Sequence, residues 1–274
     1  MYFLSPDHNL YSQEKPYYLD YSPPDGIKRS NVELERFEKL HIEDIRDRLG
    51  DFTFEKTGFQ LISLDHGMEY DDFVDKDKVE EVYLKHVAQM LQQQLGASRV
   101  QIYDWIVRKR TPEFPICTGD YYAFKQPSST AHVDTTPSQT AKMLLELNPI
   151  EGPTLSHLHY QNVNVWKPLK GPIRDWPLAL CDPNSIDRDK DLLARDTVRP
   201  DAYIETYQVH RKENHRWYYA RDQMPNEAWV FLQSDSDEKG LPGVPHTGFD
   251  NPARKAGDVL RESIEVRTLV FYDN

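Results

Sequence analysis

The sequence predicts a mainly β protein with flanking helices, either a β-barrel or a double-sheet jelly roll, and three observations carry that expectation. Most segments with alternating, β-branched or aromatic patterning lie in the second half of the 274-residue chain. The helical patterns fall mainly in the first half, and no repeat, low-complexity tract or linker composition divides the two. One domain over 1–274 is expected, with an irregular segment and supporting helices in 1–98 and the β core in 99–274.

Residues 1–30 are rich in Tyr, Pro and Asp and read as an irregular surface segment. Leu34, Phe37, Leu40, Ile42, Ile45 and Leu49 recur at roughly helical spacing, with Gly50 as a stop, so a helix is expected over 32–49. Residues 58–64 read as a strand. The clearest helix spans 76–95, with Val79, Tyr83, Val87, Met90, Leu91 and Leu95 on one side and Gly96 at its end. Strands are expected over 99–107 and 118–124. Thr136-Pro137 then supplies a cap followed by a proline in the first turn, for a helix over 138–147.

Residues 160–169 alternate, with Val163 and Val165 on one face and Asn162, Asn164 and Trp166 on the other. Asn164 on a buried face needs a partner, from either a polar pocket or a loop contact. Asp187–Thr197 reads as a short exposed helix, and 203–210, 216–220 and 228–233 as three strands of a meander. The chain closes on a strand at 262–272. In it Ile264, Val266, Thr268 and Val270 face one way, and Glu265, Arg267, Leu269 and Phe271 the other.

A net charge of -12 without a basic stripe argues against nucleic acid as a partner, and no apolar run approaches the length of a membrane span. The two cysteines, Cys117 and Cys181, make no disulfide framework, and the N-terminus lacks the pattern of a secretory signal. A cytoplasmic protein is expected, monomeric or homodimeric, acting on a small molecule.

The chemistry centres on His132-Val-Asp134. In an extended backbone the period of two puts both side chains on one face, within reach of one metal ion. A second histidine from elsewhere would complete the two-imidazole, one-carboxylate facial set of non-haem Fe(II) oxygenases, which leaves positions for a 2-oxo acid and dioxygen. His246, at a strand end beside Gly243-Val-Pro, is the candidate, and His157-Leu-His159 competes as a cupin-like pair. Arg267 shares a face with Leu269 and Phe271 and needs an anion, which the distal carboxylate of a 2-oxo diacid would supply. Ser263 could add a hydroxyl. Glu262, Glu265 or Asp235 would instead pair with Arg267 in an ordinary salt bridge, and Arg261 is a rival anchor expected to be more exposed.

Six ordered blocks from about residue 99 onward resemble the fungal gibberellin desaturase/AsaB/CmcJ-type hydroxylase-desaturase family of secondary metabolism. They are His132-Val-Asp134-Thr-Thr, Asn164-Val-Trp166-Lys-Pro-Leu with Pro177-Leu-Ala-Leu-Cys181-Asp182, Trp217-Tyr-Tyr219, Gln233-Ser-Asp235-Ser, Pro245-His246-Thr-Gly-Phe-Asp250-Asn-Pro252 and Glu262-Ser-Ile-Glu-Val-Arg267. The resemblance implies a double-stranded β-helix oxygenase that uses Fe(II) and 2-oxoglutarate, with release of succinate and CO2. It matches His132, Asp134 and His246 to the metal positions and Arg267 to the co-substrate arginine. Lys167, Gly248 and Asn251 depart from the family pattern. Substrate would be hydroxylated, desaturated or cyclised between candidate walls Tyr122, Trp166, Tyr218 and Tyr219. A cupin-like metal enzyme independent of 2-oxoglutarate and a non-catalytic accessory protein of the same fold are the alternatives.

Overall fold

The computed structural model describes residues 1–6, 8–116 and 122–273, and of His8 and Asn9 the backbone alone. Its strands are β1 (Tyr2–Leu4), β2 (Tyr17–Leu19), β3 (Leu34–Arg36), β4 (Ile42–Asp44), β5 (Phe59–Ser63), β6 (Arg99–Lys109), β7 (His132–Val133), β8 (His159–Pro168), β9 (Leu178–Cys181), β10 (Leu192–Val198), β11 (Tyr203–Val209), β12 (Trp217–Tyr219), β13 (Glu227–Asp235), β14 (His246–Gly248) and β15 (Glu262–Tyr272). Two large sheets form the jelly roll. One runs β2-β10-β11-β7-β14-β9-β12-β4 and the other β5-β13-β8-β15-β6, while β1 and β3 pair separately.

Register decides which side chains meet between the sheets. In the five-stranded sheet Arg267 of β15 opposes Asn164 of β8, which opposes Phe231 of β13, so these three share the inner face. In the eight-stranded sheet His132 of β7 opposes His246 of β14 and Gln208 of β11. The other face of the five-stranded sheet carries Val163, Val165, Val266 and Val270, and it packs with Val79, Tyr83, Val87 and Leu91 into the largest hydrophobic cluster. Those last four lie on the helical stretch 76–95, whose final part, Leu84–Leu95, ends on Gly96 in the left-handed region at φ 64°. The outer face of the eight-stranded sheet has its own smaller core of Phe3, Val133, Ala179, Cys181, Val209 and Trp217.

Four expectations are corrected. The helix expected over 32–49 is instead β3, β4 and a 3-10 turn at Arg46–Asp51. Its apolar residues serve separate contacts: Phe37 packs on Phe3 and Ile45 enters the main core. The first 98 residues are more than an irregular segment with supporting helices, since β2, β4 and β5 extend the edges of both large sheets. The exposed helix expected over 187–197 is limited to Arg188–Asp191. Beyond it the chain becomes β10, which hairpins with β11 along seven register pairs. The three later strands form no meander, because β11 and β12 belong to one sheet and β13 to the other. Residues 117–121, which hold Cys117 and much of the strand expected over 118–124, lie outside the described residues. No helix among the described residues is long and apolar enough to cross a membrane.

Candidate metal centre and active site

His132 leaves β7 facing inward, and Asp134, two residues on, faces the same way, as the strand period requires. His246 enters from β14 directly opposite His132, with ring centroids 4.5 Å apart. One ligand atom from each of the three residues lies within 4.8 Å of the others, the only such His/Cys/Asp/Glu group among the described residues. His132 Nε2 is 3.2 Å from Asp134 Oδ1, and His246 Nε2 is 3.9 Å from Oδ2.

Both imidazoles are fixed from behind. Nδ1 of His132 donates to the Thr130 carbonyl at 2.7 Å, and Nδ1 of His246 to the Val244 carbonyl at 3.1 Å. A carbonyl can only accept, so Nδ1 is the protonated nitrogen of each neutral imidazole, and both Nε2 atoms point at Asp134, where a cation would take the place of a proton. Asp134 is held on two sides: its amide donates to Gln233 Oε1 at 2.8 Å, and Oδ2 accepts from Asn164 Nδ2 at 2.7 Å. Burial raises its pKa, yet the Arg267 charge, the His132 hydrogen bond and the His246 field hold it well below the usual carboxylate range. Burial first, and then the His132 charge, push His246 down to about 4, so its imidazole is neutral at pH 7. Two imidazole nitrogens and one ionised carboxylate suit a divalent first-row cation. The Asn164 Oδ1 atom is buried without a partner, which leaves an acceptor free beside the triad.

The two candidate anchors turn out opposite to expectation. Arg267 is already neutralised: Nη1 bonds Asp104 Oδ2 at 2.8 Å, Nη2 bonds Glu265 Oε1 at 2.7 Å, and Nε lies 3.4 Å from Asp134 Oδ2. Arg261, expected to be exposed, is buried at 3%. Its guanidinium lies over the Trp166 ring at 4.9 Å, donates to the Trp176 carbonyl at 2.8 Å and reaches Ser263 Oγ at 3.5 Å, with no carboxylate paired to it among the described residues. Burial, and next the neighbouring Arg108 charge, lower its pKa to about 9. A methyl group on Gly248 would sit 2.8 Å from Arg261 Nη1, so glycine two residues past His246 gives the guanidinium its passage.

The aromatic walls expected for substrate are mostly core. Trp166 is fully buried beneath Arg261. Tyr218 packs on Phe52 and Phe59 in the main cluster, and Tyr219, its neighbour on β12, faces the opposite side against Phe249. Strand alternation splits that pair and sends neither ring to the triad. Tyr122 is half-buried just after the undescribed segment. The cleft that reaches Asp134 has a volume of about 390 Å3 and is walled by Tyr103, Gln139, Met143, Ile204 and Thr206 among others. The competing His159 is bonded to Asp235 at 2.8 Å and stacked on Tyr272, away from the triad. Gln233 opens one of the six ordered blocks but was given no role there, and Phe231, whose ring lies 4.9 Å from that of His246, was legible as an alternate position of the same strand but had no motif to mark it.

A family model described as Oxidoreductase/YMDC permease-like domain matches residues 1–271. The chain is 31% identical to "Alpha-ketoglutarate-dependent dioxygenase tstK" of Talaromyces stipitatus, covering 92% of this chain and 93% of that protein. It is 29% identical to "Hydroxylase/desaturase efuI" of Hormonema carpetanum, covering 85% and 83%. The solved structure of "iron and alpha-ketoglutarate-dependent endoperoxidase NvfI" superposes with a TM-score of 0.86 at 27% identity, over 100% of this chain and 97% of that one. The chain therefore belongs to this oxidoreductase family, that of the fungal Fe(II)/2-oxoglutarate-dependent dioxygenases and hydroxylase/desaturases.

Proposed function

We propose that His132 Nε2, Asp134 and His246 Nε2 hold the iron of this Fe(II)/2-oxoglutarate-dependent oxygenase. On this reading Arg261, with Ser263 and Arg108, holds the distal carboxylate of 2-oxoglutarate, and the substrate is a small natural product. The convergence of two imidazole nitrogens and one carboxylate within 4.8 Å carries the reading. Iron bound there supplies dioxygen activation coupled to conversion of 2-oxoglutarate into succinate and CO2.

The chain's own part is to hold and to exclude. Asn164 and Arg267 fix the carboxylate from one sheet, and the Thr130 and Val244 carbonyls fix the imidazoles from the other. Phe231 closes the floor under His246. At the Arg261 end, register places Arg108 opposite Ser263, so two guanidiniums and a hydroxyl gather where a dicarboxylate needs its second anchor. The cleft beside Asp134 brings a carbon–hydrogen bond of the substrate to the centre. A cytoplasmic monomer or homodimer working without nucleic acid is part of the proposal, supported by the net charge of -12.

The test is iron-dependent succinate release from 2-oxoglutarate, together with the charge-transfer absorption that a chelated 2-oxo acid gives with Fe(II) under anaerobic conditions. His132→Ala and Asp134→Ala are expected to abolish both. Full succinate release in either variant removes the assignment.

A further inference from the structure

The inner face of the β10–β11 hairpin carries polar atoms that the iron and 2-oxoglutarate do not use. Inward-facing positions follow from register: His132 opposes Gln208, Gln208 opposes Leu193, Arg195 opposes Thr206, and Thr197 opposes Ile204. Buried Arg195 Nε, Thr206 Oγ1 and Gln208 Oε1 all lack a hydrogen-bond partner. Gln208 is only 3% exposed, so this is not a solvated surface. The Arg195 guanidinium has one hydrogen bond, from Nη2 to Thr197 Oγ1 at 2.7 Å, and no carboxylate pairs with it among the described residues. The acids of the hairpin, Asp196 and Glu205, occupy the alternate positions and so its opposite face, where Lys15 bridges them. A half-buried cation whose Nε is shut off from water is costly in this state unless a ligand brings an anion.

The cleft supplies the place for such a ligand. Thr197, which accepts from Arg195, lines it together with Ile204, Thr206 and Met143, so Arg195 stands directly behind the lining. The two arginines of the lining itself are already paired, Arg199 with Asp20 and Arg267 with Asp104 and Glu265, and the cleft runs on to Asp134. Strand order separates this cation from the co-substrate end: Arg261 lies against Gly248 on β14, while Arg195 sits on β10, with β11 and β7 between them. The triad is thus flanked by a buried guanidinium on one side, Arg261, and a half-buried one on the other, Arg195, each without a paired carboxylate among the described residues.

We propose that Arg195 is the residue that recognises a carboxylate on the organic substrate, whose apolar body lies along Met143 and Ile204, so that the enzyme acts on an apolar organic acid. This rests on the oxygenase reading, which assigns the other cation to 2-oxoglutarate. The carboxylate would accept from the guanidinium and from Thr206, and Gln208 would take a hydroxyl or amide donor of the same molecule. Arg195 then acts in specificity and orientation, fixing which carbon faces Asp134.

Binding of naphthalene-1-acetate and of its neutral isostere naphthalene-1-acetamide, measured by equilibrium dialysis on the full chain with Fe(II) and 2-oxoglutarate under anaerobic conditions, tests this. Wild-type protein is expected to prefer the acid by about tenfold or more, the size of a charge-assisted hydrogen bond. Arg195→Gln is expected to erase that preference while leaving 2-oxoglutarate affinity, read from the charge-transfer absorption, unchanged. Thr197→Val, which releases the guanidinium but keeps its charge, is expected to weaken the acid selectively and guards against misfolding of the first variant. No acid preference in wild-type protein, or a preference that survives both substitutions, overturns the proposal. So does a loss of 2-oxoglutarate affinity in Arg195→Gln, which would make Arg195 the co-substrate anchor. Wild-type protein that prefers the acid but shows no absorption with iron and 2-oxoglutarate would keep Arg195 and sink the oxygenase assignment instead.

Discussion

Asn164 and Arg267 stand directly opposite each other across β8 and β15, and both aim at a single oxygen, Oδ2 of Asp134, at 2.7 and 3.4 Å. One is a neutral donor and the other a cation. Between them they orient the carboxylate and keep it ionised, so the five-stranded sheet governs a carboxylate that the eight-stranded sheet supplies. Outer partners of this kind commonly set metal affinity as strongly as the ligands' own chemistry.

Asn164→Ala removes the one of the two that hydrogen-bonds the carboxylate, without changing charge. Iron affinity is expected to fall by about 10–100-fold, the usual effect of losing such a partner. An anaerobic Fe(II) titration reads it directly, and unchanged affinity would show that Asn164 does not orient Asp134.

The two arginines separate cleanly. Arg261→Gln is expected to raise the dissociation constant for 2-oxoglutarate by about 10–100-fold with iron binding intact, because it removes a charge-assisted anchor. Arg267→Gln leaves Glu265 and Asp134 buried without their cation. It is expected to lower stability by about 3–5 kcal/mol, as when one partner of a buried ion pair is removed, and to weaken iron binding. If Arg267→Gln alone impairs 2-oxoglutarate, the anchor assignment reverses.

The inner face of β8 and β15 was readable before any coordinates, since alternation alone separates Asn164 and Trp166 from Val163 and Val165, and Arg267 from Val266. The H-x-D pair was readable for the same reason. What sequence could not give was which buried arginine is already spoken for. That depends on Asp104 and Glu265 reaching Arg267, and on Gly248 admitting Arg261, all matters of register between distant strands. The helix expected over 32–49 failed on a similar point. Its apolar residues are shared between two cores, and helical spacing over so short a span arises without a helix.

Gly243 is a second position where only glycine fits. A methyl group there would meet the Gln233 carbonyl at 2.1 Å and Val133 Cγ1 at 2.6 Å. Gln233 holds the Asp134 amide, and Val244, the next residue, holds His246. Gly243→Ala therefore moves both supports at once. A loss of about 1–3 kcal/mol or more is expected from overpacking against backbone, with weakened iron binding. Thermal melts with and without Fe(II) measure the two effects, and a variant as stable as wild type would mean that the loop has room to shift.

Lys167, where the family pattern calls for arginine, does not face the triad. It is buried, its Nζ donates to the Pro225 carbonyl at 2.8 Å and meets His66 Nε2 at 2.6 Å, and the rings of Phe73 and Tyr83 enclose it. Burial lowers its pKa from the ordinary 10.5 to about 7. Below about pH 7 both the folded and unfolded chains carry this proton, and the penalty on the folded state is complete. Between about 7 and 10.5 only the unfolded chain holds it, so stability climbs with pH by roughly 1.4 kcal/mol per unit, and above 10.5 the penalty is gone. Lys167→Met is therefore expected to gain most over wild type near pH 7, with the difference shrinking towards pH 10. Melting temperatures of the two proteins across that range decide the matter. Curves that run parallel would show that the ammonium group is not strained by its burial, and that hydrogen bonding to Pro225 and His66 compensates for it at every pH.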